Sequence, residues 1–529
     1  RMPRTSSPSD APPPGPPRRG SGTEPDAAGY ARRRALAERL ARGLMKIFFR
    51  RVEVAGLEWI PARGPAILVA NHHNSLIDPA LVLAFLPRRP RFLAKSTLWK
   101  VPGIRQLLEL AAVIPVVRLQ DRSAGEDPSR NRETFARCHE ALAAGDAIAL
   151  FPEGISHDAP HLAPLKTGAA RIALEAEERL GPLGVRIVPV GLTFDAKGRF
   201  RSRALVRVGE PLDAAAWRPV HRRDPAAAVR DVTEAIRSGL EAVTLNYASR
   251  AEARGIERLG EILAAEALEL PARMALEEAF AVRRDLLAGA RQLREAEPEA
   301  LRRVARSLAR YEARLAHLGV EDVHVAARYP RRAVGLYALG TVSLLLFWLP
   351  LAALGTLLNA LPFWLSAVFA RFVHQDDLPA TFKLFGGFFL FPLVWMTEGL
   401  LVGAWLGWLA GLSLAVALAP ASGWLAKRFH ERHAELWNEA EAWLRLRMRG
   451  RTARRLRSER DRLRTELARL AERVAGATSA RPRRERDPAS RRGAPRTGSS
   501  ETGGTARASQ GNRGEAERER GTGPPREPA

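Results

Sequence analysis

The residues best suited to chemistry lie between Val69 and Leu81, VANHHNSLIDPAL, directly after a short apolar run, AILVA from Ala66. Four residues separate His73 from Asp78. A loop turning from a strand into a helix can bring such a pair together, the carboxylate accepting a hydrogen bond from one imidazole nitrogen and leaving the other free to take a proton. A histidine oriented this way is a general base near neutral pH, a role worth roughly 10²- to 10⁴-fold in rate. His72 has the wrong spacing to Asp78 and reads as structural.

Further along, Arg118 ends the run VIPVVR, FPEGISHD spans Phe151 to Asp158, Lys166 and Gly168 fall in PLKTGAA, and Pro189 lies in IVPV. Each block sits at or near the end of a β-rich run. Ligands of α/β sheets bind at strand ends, and basic, glycine-containing loops there suit an anionic substrate. Arginine holds phosphate through paired, charge-assisted hydrogen bonds. Ser156, His157 and Asp158 are consecutive, so they cannot converge as a Ser-His-Asp triad. No His/Cys cluster has metal-ligand spacing, and no metal is expected.

The order and spacing of NHHNSLID, VIPVVR, FPEG and IVPV resemble the four sequence blocks of the glycerol-3-phosphate and lysophosphatidate acyltransferase family, over about Val52 to Leu212. The resemblance implies direct acyl transfer from acyl-CoA or acyl-carrier protein to a glycerophosphate hydroxyl, with no further cofactor. His73 would be the base, Asp78 its orienting partner, and Arg118, Glu153 and Gly154 part of the acceptor site, with Ser156 beside them. Two departures matter. Val117 stands where the family pattern has an acidic residue before the second-block arginine, and FPEG continues Ile155-Ser156 rather than Thr-Arg. The Ser-His-Asp continuation and the later PLKTG look more like the fungal-type glycerol-3-phosphate or dihydroxyacetone-phosphate acyltransferases. A phosphate contact often supplied by the third-block arginine must then come from elsewhere, and Lys95 and Lys166 are the candidates. A lysophosphatidate or lysophospholipid acyltransferase keeps the chemistry and changes the acceptor; an inactive membrane adaptor with polybasic tails is the alternative of another class.

The elements that must position these residues follow from composition. Residues 1–29 are Pro-, Ser- and Gly-rich and expected to be disordered. Over 30–51, Leu36, Leu40, Leu44, Ile47 and Phe48 recur opposite Arg33, Arg34, Arg39, Arg42, Lys46 and Arg50, a basic amphipathic helix suited either to an anionic bilayer or to packing on the next domain. Residues 52–214 alternate β-rich and helical runs, an α/β domain with a mixed sheet, and 215–330 read as helical. Ala333 to Ala370 holds no charged residue and Leu384 to Ala426 only Glu398, so 331–426 is expected to be a transmembrane region of two hairpins. Over 427–475 the pattern is a basic helix, solvated or in a short coiled coil, and 476–529 read as a disordered tail.

Charge and cysteine content narrow the class. The 529 residues are 46% hydrophobic and carry a net charge of +25, which favours polyanions such as anionic lipid. From Arg451 onward there are 21 Lys and Arg against 11 Asp and Glu, so much of the excess is tail, and no nucleic-acid module is recognisable. One cysteine, Cys138, allows no internal disulfide and fits a reducing compartment. No signal peptide is visible, and Arg331, Arg332, Lys427 and Arg428 flank the apolar blocks, so the catalytic domain is expected on the cytoplasmic side, that of a bacterial inner membrane.

Overall fold

A computed structural model describes residues 27–100, 104–116, 129–197, 199–264, 274–327, 331–371 and 379–480. The N-terminal part runs α1 (Ala27–Phe48), β1 (Arg51–Ala55), β2 (Ala66–Ala70), α2 (Ile77–Phe85), β3 (Arg91–Lys95), α3 (Ile104–Leu110), β4 (Ile114–Val116), α4 (Ser129–Ala143), β5 (Ala147–Leu150), α5 (Gly168–Arg179), β6 (Arg186–Phe194), β7 (Arg203–Val208) and β8 (Leu212–Asp213). The strands form one sheet in the order β1-β7-β6-β2-β5-β3-β4, with β8 on β6. Pairing is parallel except where β7 and β8 meet β6. β1, RVEVA, is an edge strand whose alternating charges hide it in the sequence.

β2 is buried along its whole length, and its side chains alternate between two cores. Leu68 and Ala70 join Phe48, Phe49, Leu81 and Val188 on the face covered by α1 and α2. Ile67 and Val69 join Ile148, Ile172, Ile187 and Leu142 on the face covered by α4, α5 and α7 (Pro225–Val243). The result is a three-layer α/β/α domain, with β2 and β5 side by side at its centre.

Past a short α6 (Arg218–Arg223) and α7, the helical region continues as α8 (Arg250–Ala264), α9 (Leu276–Ala296), α10 (Pro298–Leu318) and α11 (Asp322–Ala326). Then come α12 (Arg331–Arg371), α13 (Pro379–Leu406), α14 (Trp408–Ser413), α15 (Ala419–Met448) and α16 (Gly450–Ala480), α14 passing into α15 through a π-helical turn at Leu414–Leu418. Three segments among the described residues are long and apolar enough to cross a membrane, Ala338–Ser366, Gly386–Leu406 and Trp408–Met448. Their exposed Leu, Phe and Trp side chains, Phe347 and Trp405 among them, suit lipid, and the chain is an integral membrane protein.

Two expectations are corrected here. The first apolar block is one continuous helix, α12, with Pro350 and Pro362 inside it, not a hairpin; prolines are tolerated where neighbouring helices satisfy the freed carbonyls. The second block does turn back, at Gly407, whose φ of 93° lies in the left-handed region. α12 packs antiparallel to α15, with Asn359 donating to the Gly355 and Ala419 carbonyls and accepting from the Trp395 indole N–H.

The leucines of α16 are neither solvated nor in a coiled coil. Leu456, Leu463 and Leu470 are buried in one core with Ile262 of α8 and Val304, Leu308, Tyr311 and Leu315 of α10. Inside it, Arg460 pairs with Asp322 at 3.1 Å and 3.2 Å and donates to the Ile262 carbonyl, while the Tyr311 hydroxyl donates to Asp322 at 2.6 Å. Burial and the Asp322 charge push the Tyr311 phenol far up, so it stays protonated as the donor.

Candidate active site

The loops after β2 and β5 meet at the centre of the sheet. Asn71 fixes the first: its buried side-chain amide donates to the Leu192 carbonyl at 3.0 Å and accepts from the Leu192 N–H at 2.7 Å, tying the loop to β6. Asp78, in the first turn of α2, is fully buried and reaches back beneath the loop. Its Oδ2 accepts the backbone N–H groups of His73 at 2.8 Å and Asn74 at 2.7 Å, and the Nδ1–H of His72 at 2.9 Å.

The carboxylate therefore takes the ring of His72, not that of His73. Once Oδ2 gathers the two loop amides it lies on the side to which the His72 ring folds back. That ring is stacked on Phe151, with centroids 4.1 Å apart. The His73 ring leaves in the other direction, and its Nδ1–H donates to the His157 carbonyl at 3.1 Å. Burial pushes the His73 imidazole below its usual range despite the Asp78 charge and the His157 carbonyl, so it is neutral near pH 7. Each ring has its Nδ1 proton fixed by an acceptor, but only His72 has an anion there. Ser75, at φ 41°, holds a left-handed backbone and donates its N–H to Ser156 Oγ at 3.1 Å, a second tie between the loops.

Glu153 is buried, with protein groups on both oxygens. Oε1 accepts the His72 N–H at 2.8 Å; Oε2 accepts the Ala163 N–H at 2.7 Å and pairs with His157 Nε2. Because the Ala159 N–H donates to His157 Nδ1 at 3.1 Å, the ring proton sits on Nε2, facing the carboxylate. Glu153 and Ser156, expected in the acceptor site, thus hold loops together. The His157 carbonyl also accepts from Lys197 Nζ at 3.2 Å, and Lys197 pairs with Asp158, as does Arg250. Burial raises the Asp158 carboxyl, but Lys197 and Arg250 outweigh it and hold the group below its ordinary value.

Gly154 has φ 72°, and a β-carbon on it would meet Lys166 Cε at 2.8 Å. The glycine lets the Lys166 stem cross the FPEG turn, its backbone N–H bonded to the Pro152 carbonyl at 2.7 Å and its side chain exposed. Gly154→Ala should cost about 1–2 kcal/mol in backbone strain alone and displace Lys166. We expect kcat/KM to fall about tenfold with unchanged circular dichroism; unchanged kinetics would show that the lysine's path is immaterial. Lys95 ends β3, beside β5 in the sheet. Arg118 lies outside the described residues.

The contacts of His72 with Asp78, of His157 with Glu153 and of Lys197 with Asp158 were not expected from the sequence. Nothing local marks Lys197, 39 residues from its partner Asp158. For His72 a signal existed: a carboxylate in the first turn of a helix can reach back to backbone N–H groups that precede the helix, which moves it off the position that an isolated histidine-aspartate pair would need.

The strand-end loops at the centre of the α/β domain thus bring a carboxylate-bound histidine together with a glycine turn crossed by a lysine. Residues 51–193 match the family model described as Acyltransferase. Among curated proteins, an uncharacterized acyltransferase of Schizosaccharomyces pombe is 26% identical over 61% of this chain and 60% of its own length. Glycerol-3-phosphate O-acyltransferase 1 of Saccharomyces cerevisiae is 26% identical over 40% of this chain and 39% of its own. A chloroplastic 1-acyl-sn-glycerol-3-phosphate acyltransferase of Arabidopsis thaliana is 29% identical over 28% of this chain and 38% of its own. The chain thus spans less than two thirds of the length of each.

Proposed function

We propose that the chain is a membrane-bound glycerolipid acyltransferase that passes a fatty acyl group from acyl-CoA or acyl-carrier protein to a hydroxyl of a phosphate-bearing glycerol backbone. The observation that carries the reading is the hydrogen bond from His72 Nδ1–H to the buried Asp78, which leaves His72 Nε2 as a proton acceptor. His72 takes the hydroxyl proton as the acceptor oxygen attacks the thioester carbonyl; the new C–O bond forms, the C–S bond breaks, and the proton passes to the departing sulfur. Asp78 stabilises the imidazolium in between. His73, the base implied by spacing, becomes its neutral neighbour, and Glu153, Ser156 and His157 hold the two loops in register. Lys166 and Lys95, with Arg118, supply the cations for the acceptor phosphate.

Glycerol-3-phosphate is the acceptor we favour, with dihydroxyacetone phosphate next. FPEGISHD and PLKTG are similar to the fungal-type enzymes, and one relative is named a glycerol-3-phosphate O-acyltransferase. Lysophosphatidate is the second reading, favoured by the chloroplastic relative's name. The catalytic domain faces the cytoplasm of a bacterial inner membrane, where the thioester donors are made. Membranes bearing the protein, offered labelled acyl thioester with each of the three acceptors in parallel, should acylate glycerol-3-phosphate fastest. Preference for lysophosphatidate selects the second reading, and transfer to none, with the protein inserted and folded, would overturn the proposal in favour of an inactive adaptor.

A further inference from the structure

α1 has two faces of different character. Ala37, Ala41, Met45 and Phe48 are buried against the sheet and α2. On the opposite side Arg32, Leu36, Arg39, Lys46 and Ile47 are exposed and fall within an arc of about 100° at 3.6 residues per turn. Leu36 and Ile47 are 49% and 52% exposed, so the face carries apolar as well as basic side chains. Of the other basic residues on the helix, Arg34 meets Asp146 and Arg42 meets Glu38, while Arg33 is exposed at the edge of this face. Among the described residues no ion pair is seen for Arg32, Arg39 or Lys46.

The C-terminal end of α1 is tied to a helix that emerges from the membrane. Arg201 donates to the Lys46 and Phe49 carbonyls at 3.3 Å and 2.8 Å, closing the end of α1, and pairs with Glu431 of α15. Arg50 pairs with Glu435. The uncharged stretch leading into α15 ends at Ala426, where Trp424 lies exposed with the Arg428 guanidinium 4.3 Å from its ring centroid, the aromatic and basic pairing of a membrane interface. Glu431 and Glu435 lie about 7.5 Å and 13.5 Å beyond Ala426 along the helix axis. The polar layer on each side of a bilayer is about 5–8 Å deep, so the Arg201–Glu431 tie at the end of α1 lies at the outer edge of the headgroups and Arg50–Glu435 just outside them.

We propose that the exposed face of α1 is a bilayer-docking surface. Arg39, Lys46 and their neighbours meet anionic phosphate headgroups while Leu36 and Ile47 enter the boundary with the acyl chains. The catalytic domain is thereby held against the leaflet at a second point, independent of its transmembrane helices. This inference rests on the membrane attachment of the chain and not on its activity.

The test is a depth measurement on the full-length protein. An environment-sensitive fluorophore is placed on Ile47→Cys in a Cys138→Ser background, and the purified protein is reconstituted in phosphatidylcholine vesicles with or without phosphatidylglycerol. Phosphatidylcholines brominated either near the headgroup or deep in the chain serve as quenchers. The expected result is blue-shifted emission, stronger loss of emission with the shallow quencher than with the deep one, and greater loss when phosphatidylglycerol is present. Arg39→Glu with Lys46→Glu should return the emission toward that of a water-exposed label. Water-like emission unquenched by either lipid would overturn the proposal. Blue-shifted emission without quenching would overturn it too, placing protein, such as a second copy of this chain, on this face. Quenching indifferent to phosphatidylglycerol and to the charge reversal would overturn the anionic part.

Discussion

His72→Ala is expected to lower turnover by about two orders of magnitude or more, the loss that follows removal of a general base, while His73→Ala costs no more than about tenfold. Both rings have a fixed Nδ1 proton and an open Nε2. They differ in what holds that proton: a buried carboxylate for His72 and a peptide carbonyl for His73. A charge of opposite sign at Nδ1 stabilises the imidazolium that forms in the transition state, and a neutral carbonyl does so far less. His73 is also less basic than an exposed histidine because burial disfavours its cation. Steady-state rates on membranes, normalised to inserted protein, decide between them. A larger loss in His73→Ala than in His72→Ala would return the role of base to the residue that spacing alone suggests. Asp78→Asn should be nearly as damaging as His72→Ala, but it loosens the loop as well, since Oδ2 also gathers the amides of His73 and Asn74. It therefore measures base and scaffold together.

The second large effect is on stability. Asp322→Ala should destabilise the protein by about 3–5 kcal/mol, because it leaves the Arg460 guanidinium buried without its counter-charge and the Tyr311 hydroxyl without its acceptor. Both members of the ion pair have side chains 7% exposed, so water cannot substitute. Thermal unfolding in detergent micelles, paired with limited proteolysis reporting release of α16, should show a lowered midpoint and early cleavage between α15 and α16. The double variant Asp322→Ala with Arg460→Met should recover much of the loss, since the stranded charge is gone and the hydrocarbon still packs. An unchanged midpoint in the single variant would mean that the pair does not hold α16.

Much of this was legible in the sequence, for physical reasons that differ by element. β2, β5 and β6 are central strands, buried on both faces, so AILVA, AIAL and IVPV announce themselves as apolar runs between turns. RVEVA does not, because an edge strand carries charges and pairs on one side only. The apolar blocks were plain from the absence of charge. Their path was not: a stretch of about forty residues admits one long helix or two short ones, and Pro350 and Pro362 look like breaks although the helix runs through them. At the site, spacing located the loop and the carboxylate, but it paired Asp78 with the ring of His73 where the structure pairs it with the ring of His72. Distance along a chain does not say which side of a turn a side chain leaves from, and here the left-handed Ser75 and two backbone amides decide it. The α16 leucines repeated as a helix face should; what they pack on, α8 and α10, lies more than a hundred residues earlier and leaves no local trace.

That last separation has a consequence for how the molecule is made. Asp322 and Arg460 stand 138 residues apart, and the whole membrane region is translated between them. While α12 to α15 are still being threaded into the bilayer, the nascent α8 and α10 already expose the groove of Leu308, Tyr311 and Leu315 with nothing to fill it. Only when α16 has left the ribosome can the groove close. Completion of this helical core thus waits on the last helix to be translated, and until then the α10 side chains and Asp322 lack the leucines and the guanidinium that cover them.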